Sequence, residues 1–476
     1  MRNNLRDQIP ALKNKYYFNY GGQGPLPKSS LEAIVKTWEI IQDLGPFTND
    51  MWPFIYKEIL TTKRIIAQKL GVNSKNVAFT ENISSGMILP FWGIKVEEGE
   101  ELLISDCEHP GVVAASREFC RRNKLIFKIL PIQKIKNLND ENIILEILKN
   151  LNSKTKILII SHILWNFGYK IPLKQISIEL KNNREDSYLL VDGAQTFGHI
   201  NIEKEVFYSD LYSITSHKWA CGPEGLGAIY VSDRFIHETD PTIIGWKSLK
   251  KEQGIYEPSD NLFHDDARKF EIATSCIPLL AGLRNSLDLL DKDCHEKEKN
   301  KNIKKLSGKL WDELNQSKGV ELVLEKKYLN GIVSFNIENI KDKDKYVKKL
   351  GEKKIWIRVL EDPKWFRACV HQMTTEAEID LLAKEIKKYF SKWYSLNPNP
   401  KYLLVNLNNN EPMTSHQLTI LLTKFFKKTL DKNIASTMLR HIILSEKFGE
   451  MKKEQEKMAE KMGHSVNTQQ TIYVKN

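Results

Sequence analysis

Short apolar runs alternate with longer amphipathic stretches from the start of the chain to about Trp393. That rhythm predicts a mostly parallel sheet covered by helices. Strands buried on both faces read as near-continuous apolar runs, whereas the connecting helices carry a single apolar stripe. The expected strands are Val77 to Thr80, Glu101 to Ile104, Leu125 to Leu130, Ile157 to Ser161, Tyr188 to Val191, Leu211 to Ile214 and Ala228 to Val231. Beyond the charged stretch Asp291 to Lys305, the segments Gly331 to Ile337 and Lys354 to Val359 predict a smaller α+β domain. SLNPNPK, Ser395 to Lys401, sets two prolines and two asparagines after a lysine-rich helix and predicts a linker. The chain is thus expected to form a large α/β domain over 1–285, a small α+β domain over 286–394, a linker over 395–400 and a mainly helical module over 401–476.

A length of 476 residues fits two or three domains with ample core. Six cysteines are scattered without paired metal-ligand spacing, and the first residues, MRNNLRDQIPALKNK, have no apolar signal core. Both features point to a reducing cytoplasm and to no metal site. No apolar stretch approaches the length that spans a bilayer, so no membrane partner is expected. The net charge of +11 leaves room for an acidic partner, although lysine-rich solvated helices account for much of it.

The run Tyr188 to Val191 ends at Asp192, in LLVDGAQTFG, and Lys218 follows 26 positions later, 218 minus 192, in YSITSHKWACGPEGLG. A carboxylate at the carboxyl end of a buried parallel strand points into a crevice. Taken singly, Asp192 is as well read as a helix cap and Lys218 as a solvated lysine. Together they suit pyridoxal phosphate (PLP), which needs a lysine amine to hold it as a Schiff base and a carboxylate to keep its ring nitrogen protonated. Four further clusters fit the same site. Ser84 and Ser85, in FTENISSGM, lie between a strand and a helix, where free backbone N–H groups can seat a phosphate; a plain serine cap is the other reading. His109 follows the strand LLIS and could lie flat on the ring. Trp165 and Asn166 fall near the cofactor edge, and Gln195, three residues after Asp192, is placed to reach the phenolic oxygen. Thr215 and His217 flank Lys218 with phosphate donors, and Thr274 in RKFEIATS is another.

The order of YFNYGGQGPLP, CEHPGVV, VDGAQ, SHK, FEIAT and WFRACVHQMTTEAEID resembles the class V aminotransferase family of fold-type I PLP enzymes, over about Asn19 to Lys392. The resemblance implies that Lys218 holds PLP, Asp192 and Gln195 contact its pyridine nitrogen and phenolic oxygen, and His109 stacks on it. It also gives Thr215 and His217 the phosphate. Thr274, preceded by Ala273 where the family usually has glycine, would reach the phosphate held by a partner subunit, which implies a homodimer. Arg367 takes the place of the family's carboxylate-binding arginine, implying amino-acid substrates. A surface salt bridge remains an equal reading for Arg358, in IWIRVL, against binding a second carboxylate. Between Gly319 and Arg367 there is no cysteine to serve as a desulfurase nucleophile, and Cys369 reads as packing. Within the family, LGPF, SHILWNFG, HKWACGPEGLG, IIGW and RACVHQMTT resemble the cyanobacterial cysteine/cystine C–S lyases, with Phe167 a departure where a small or hydroxylated residue is expected. β-Elimination from cysteine or cystine is therefore the expected reaction; transamination, epimerisation and desulfuration are the alternatives within the class.

The last segment carries a different pattern. Residues 401–476 hold 12 Lys/Arg against 7 Asp/Glu, 12 minus 7 or +5. Arg440, His464 and Tyr473 stand 24 and 9 positions apart and resemble the catalytic C-terminus of tyrosine recombinases and phage integrases. In that reading DNA is a partner, Tyr473 attacks a phosphodiester, and Arg440 and His464 stabilise its charge. The upstream arginine, lysine and core-binding domain of that family have no counterpart, and Thr437 stands where a histidine is expected.

Overall fold

The computed structural model describes residues 5–250, 262–294, 296–338, 340–394 and 413–430. All seven expected strands form one sheet: β1 (Val77–Thr80), β2 (Glu101–Ser105), β3 (Ile126–Leu130), β4 (Thr155–Ser161), β5 (Tyr188–Asp192), β6 (Leu211–Thr215) and β7 (Gly227–Val231). Their order is β1-β7-β6-β5-β4-β2-β3. The five strands from β6 to β3 are mutually parallel, and β7 runs antiparallel to both of its neighbours.

The apolar runs are continuous because both faces are covered. Leu102, Ile104, Ile157, Ile159 and Leu190 join one core cluster with Met87, Phe91 and Phe119. Leu103, Leu158 and Leu189, on the alternate positions, are equally buried. Helix α1 (Ile83–Phe91) packs on β5, β6 and β7, and α2 (Pro110–Asn123) packs on β2 and β3. Each leaves the carboxyl end of a neighbouring strand, so both helix N-termini open toward Asp192's end of the sheet.

A second sheet is antiparallel throughout, in the order β10-β11-β9-β8. Its strands are β8 (Val320–Leu322), β9 (Ile332–Ile337), β10 (Arg358–Val359) and β11 (Phe366–Cys369). The strand expected over Lys354 to Val359 is split. Ile355–Trp356 pairs in parallel with Tyr16–Tyr17, whereas Arg358–Val359 pairs with β11. The N-terminal residues therefore belong with the smaller sheet: Phe18 O accepts from Cys369 N at 2.8 Å, and Arg6 pairs with Glu378 at 2.6 Å. The boundary expected at 285/286 falls inside a helix, α3 (Ile277–Asp293), whose apolar stripe Leu280, Leu283, Leu287 and Leu290 is buried throughout. No described helix is long and apolar enough to cross a membrane.

Residues 388–476 form a unit separate from 1–387. Its described part centres on helix α4 (Ser415–Leu430). Thr414 and Gln417 cap that helix reciprocally, each side chain accepting from the other's backbone N–H at 3.3 and 3.0 Å. Arg440, His464 and Tyr473 lie outside the described residues, as do Thr437 and the expected linker.

Candidate active site

A cavity of about 1100 Å³ opens at the carboxyl ends of β2, β4, β5 and β6 and is closed on one side by Arg358 and Arg367 of the smaller sheet. Asp192 forms its floor. The parallel register sets Asp192 beside Ser161 and Ser213, the last residues of the β4 ladder and of the three-residue β6 pairing. One carboxylate oxygen accepts from Ala194 N at 2.8 Å. Burial pushes the Asp192 carboxyl above its ordinary range, opposed chiefly by the positive charge of Lys218. A buried acid of this kind gains from a cationic partner.

Lys218 lies on the same wall. Desolvation brings its amine down to about 8, Asp192 pulls the other way, and Arg367 and Arg358 reinforce the fall. Its neighbours fix it in place. Trp219 is fully buried, stacks on His199 at 3.6 Å and donates from Nε1 to Gln195 Oε1 at 2.8 Å. Gln195 Nε2 in turn donates to Gly21 O at 3.0 Å. A Cβ on Gly21 would stand 2.8 Å from Gln195 Oε1, so a larger residue there would displace that amide. Gly24 N donates to His217 O at 2.7 Å, and a Cβ there would come within 2.0 Å of Lys218 O. Gly24→Ala should therefore cost roughly 1–3 kcal/mol and shift the Lys218 backbone. A lowered melting temperature together with weakened PLP binding would register both effects.

At the other end of the cavity, Asn82 caps α1 and accepts from Ser85 N at 3.0 Å. Ser85 Oγ closes the reciprocal capping box, so Ser85 serves its own helix and is absent from the cavity wall. Ser84 does line the wall, and the N–H groups of Ile83 and Ser84 make no hydrogen bond among the described residues. Thr215 Oγ1 and His217 Nδ1 sit 2.8 Å apart beside them. These free N–H groups, with a hydroxyl and an imidazole, make a seat for an anion.

His109 caps α2, with Nδ1 accepting from Gly111 N at 3.2 Å, which leaves Nε2 to carry the ring proton. Burial and Lys218 hold its pKa below the usual imidazole value. A neutral ring beside the cavity suits stacking. Arg367 is 1 % exposed; it donates from Nη1 to Trp165 O at 2.9 Å and from Nη2 to Asn19 Oδ1 at 3.3 Å, and its Nε has no partner. The Trp165 ring lies 5.8 Å from its guanidinium carbon. Arg358 is its cross-strand neighbour on β10 and makes no hydrogen bond or ion pair among the described residues. Asn166 is fully buried behind this wall with the Cys107 thiol beside its amide, and Ser334 Oγ donates to its carbonyl. Thr274 is exposed and does not line the cavity.

Sequence reasoning missed Glu108. Its carboxylate accepts from Ser161 N at 2.8 Å, Ser161 Oγ at 2.6 Å and Ser105 Oγ, tying the ends of β2 and β4 together. Burial, then repulsion from Asp192, pushes it up to about 7. Its position directly before His109 at a strand end was the available signal.

The donor set reads across the cavity as a carboxylate, an amine and an anion seat, with an aromatic ring alongside. It matches a molecule with a basic ring nitrogen, a carbonyl carbon and a phosphate, as in PLP. The sequence model of the aminotransferase class-V family matches residues 50–381, and the chain belongs to that family. It is a PLP-dependent enzyme with the fold-type I architecture. Among solved structures, the cystine C–S lyase C-DES in complex with its product cysteine persulfide is 33% identical, with a TM-score of 0.75 over 80% of this chain and 99% of that one. A lysine variant of C-DES, with glycine covalently linked to its PLP cofactor, is similar at 33% identity and a TM-score of 0.76, over 80% and 98% of the two chains. A probable cysteine desulfurase of Halalkalibacterium halodurans is 27% identical over 66% of this chain and 78% of its own length. Another, of Methanothermobacter thermautotrophicus, is 22% identical over 81% and 97%.

Proposed function

We propose that this chain is a C–S lyase that eliminates the β-sulfur of cysteine or cystine, giving pyruvate, ammonia and a thiol or persulfide. One observation carries the reading: Lys218, Asp192 and Arg367 share a cavity on whose wall no cysteine stands among the described residues. Cys107 and Cys369 are buried beyond it, Cys369 within β11. No described thiol faces the cavity as a sulfur acceptor, which supports a reaction in which the sulfur departs with the product.

Bound PLP supplies the electron sink that stabilises negative charge on the substrate's Cα. The chain's residues direct that capacity. Lys218 is the attachment residue, and its amine, once free, takes the Cα proton. Asp192 holds the proton on the ring nitrogen, and His109 and Gln195 fix the plane and the phenolic edge. Arg367 orients the α-carboxylate, with Trp165 shaping the wall beside it, Asn166 packed behind that wall and Arg358 available to a second carboxylate. Ser84, Thr215 and His217 hold the phosphate. The exposed Thr274 suits an outward contact with the phosphate of a second copy in a homodimer.

The test is the product. Holoenzyme given cystine should release pyruvate and ammonia with a persulfide. Alanine as the carbon product would identify a desulfurase, and dependence on an added keto acid would identify an aminotransferase.

A further inference from the structure

The cavity continues well past the groups used above. Along α2, Pro110, Val113, Ala114 and Arg117 all line it, an i, i+3, i+4, i+7 face turned to one continuous space. At 1.5 Å per residue, Arg117 lies about 10 Å along the helix from Pro110 and hence from the ring-side His109. Gln133 and Lys134, in the turn after β3, complete this wing.

Arg117 is held ready without a charge partner. Its guanidinium lies 4.3 Å from the centre of the Phe127 ring and makes no ion pair or hydrogen bond among the described residues. The contrast on its own helix is informative: Glu118 is taken by Arg121 and Arg122, at 2.7 and 2.8 Å. Lys134 is likewise unpaired among the described residues. Besides Glu108 and Asp192, the acids lining the cavity are Asp106, which accepts from Gln133 N at 3.1 Å and from the Cys107 thiol at 3.5 Å, and Glu361 and Asp362, which follow Arg358 in the chain.

Cystine is too short for this wing, because its far carboxylate lies only about four bonds, roughly 5 Å, from the leaving sulfur. A peptide of three residues spans about 10 Å. The geometry points to a distal subsite, Arg117 with Lys134, for a leaving group that is an acidic peptide thiol, so that mixed disulfides of cysteine with such thiols are substrates. The inference rests on the lyase reading. Writing the peptide thiol as R–SH, the mixed disulfide loses the Cα proton to Lys218, the Cβ–S bond breaks with its electron pair on sulfur, and R–S–S⁻ takes up a proton. One water then converts the three-carbon remainder to pyruvate and ammonia, and no oxidant or reductant is required.

The probe is the mixed disulfide of cysteine with γ-glutamyl-cysteinyl-glycine, set against the same disulfide with both peptide carboxylates of the leaving half as methyl esters. Wild-type holoenzyme should prefer the acid over the ester by about tenfold in kcat/KM, the size of two partly exposed charge contacts. In the double variant Arg117→Met, Lys134→Met that ratio should fall to near one. Equal use of acid and ester by the wild type, a preference that survives in the variant, or turnover of cystine with neither peptide disulfide would overturn the subsite and leave the lyase standing. Failure to release pyruvate from cystine as well would bring down both readings.

Discussion

Lys218→Ala should abolish the yellow colour of the holoenzyme and slow elimination by at least about 10⁴-fold, since in the proposed mechanism one side chain both attaches the cofactor and moves the Cα proton. Absorbance of the purified variant and pyruvate release from cystine are the readouts; a coloured, active variant would refute the assignment. The same amine predicts a pH dependence. Only the neutral amine can attack the cofactor's aldehyde, and burial lowers its pKa from 10.5 to about 8. Well below pH 8 most of the amine is cationic, so reloading of apoenzyme with PLP should accelerate as pH rises through about 8 and then level off. A solvated lysine would keep accelerating toward 10.5.

Arg367→Lys should lower kcat/KM for cystine by about 10²–10³-fold while the colour remains. The guanidinium is buried; Nη1 and Nη2 each give one hydrogen bond, to Trp165 O and Asn19 Oδ1, and Nε is unpartnered. An ammonium offers no planar fork, and leaving a buried charge poorly matched to its partners costs about 2–5 kcal/mol. The loss should be smaller for an analogue without the α-carboxylate, which separates recognition of that group from a general collapse of the site. Equal losses for both compounds would count against the clamp.

The central sheet was legible because every strand is an apolar run bounded by polar residues, and burial on both faces produces that pattern directly. Asp192 and Lys218 were legible for a related reason: each breaks or closely follows a run where the chain leaves the sheet. Contacts made across long sequence distances were not. Nothing local marks Trp219 as the donor that fixes Gln195, or Gly24 as the residue against which the Lys218 carbonyl rests. Ser85 has suitable chemistry, yet its own helix cap takes up its hydroxyl and backbone N–H. For Tyr473, Arg440 and His464, the spacing in the sequence remains the whole of the argument.

The pairing of Tyr16–Tyr17 with Ile355–Trp356 has a consequence for how the protein is made. On the ribosome the first residues emerge long before their partners, 356 minus 17 or 339 residues later. At about 5–20 residues per second that delay is roughly 20–70 s. The large sheet can form in that interval, but Phe18 cannot accept from Cys369, nor Arg6 meet Glu378, until synthesis of the smaller sheet is complete. Arg367 lies on β11, later still in the chain, so this arginine is among the last parts of the cavity wall to exist.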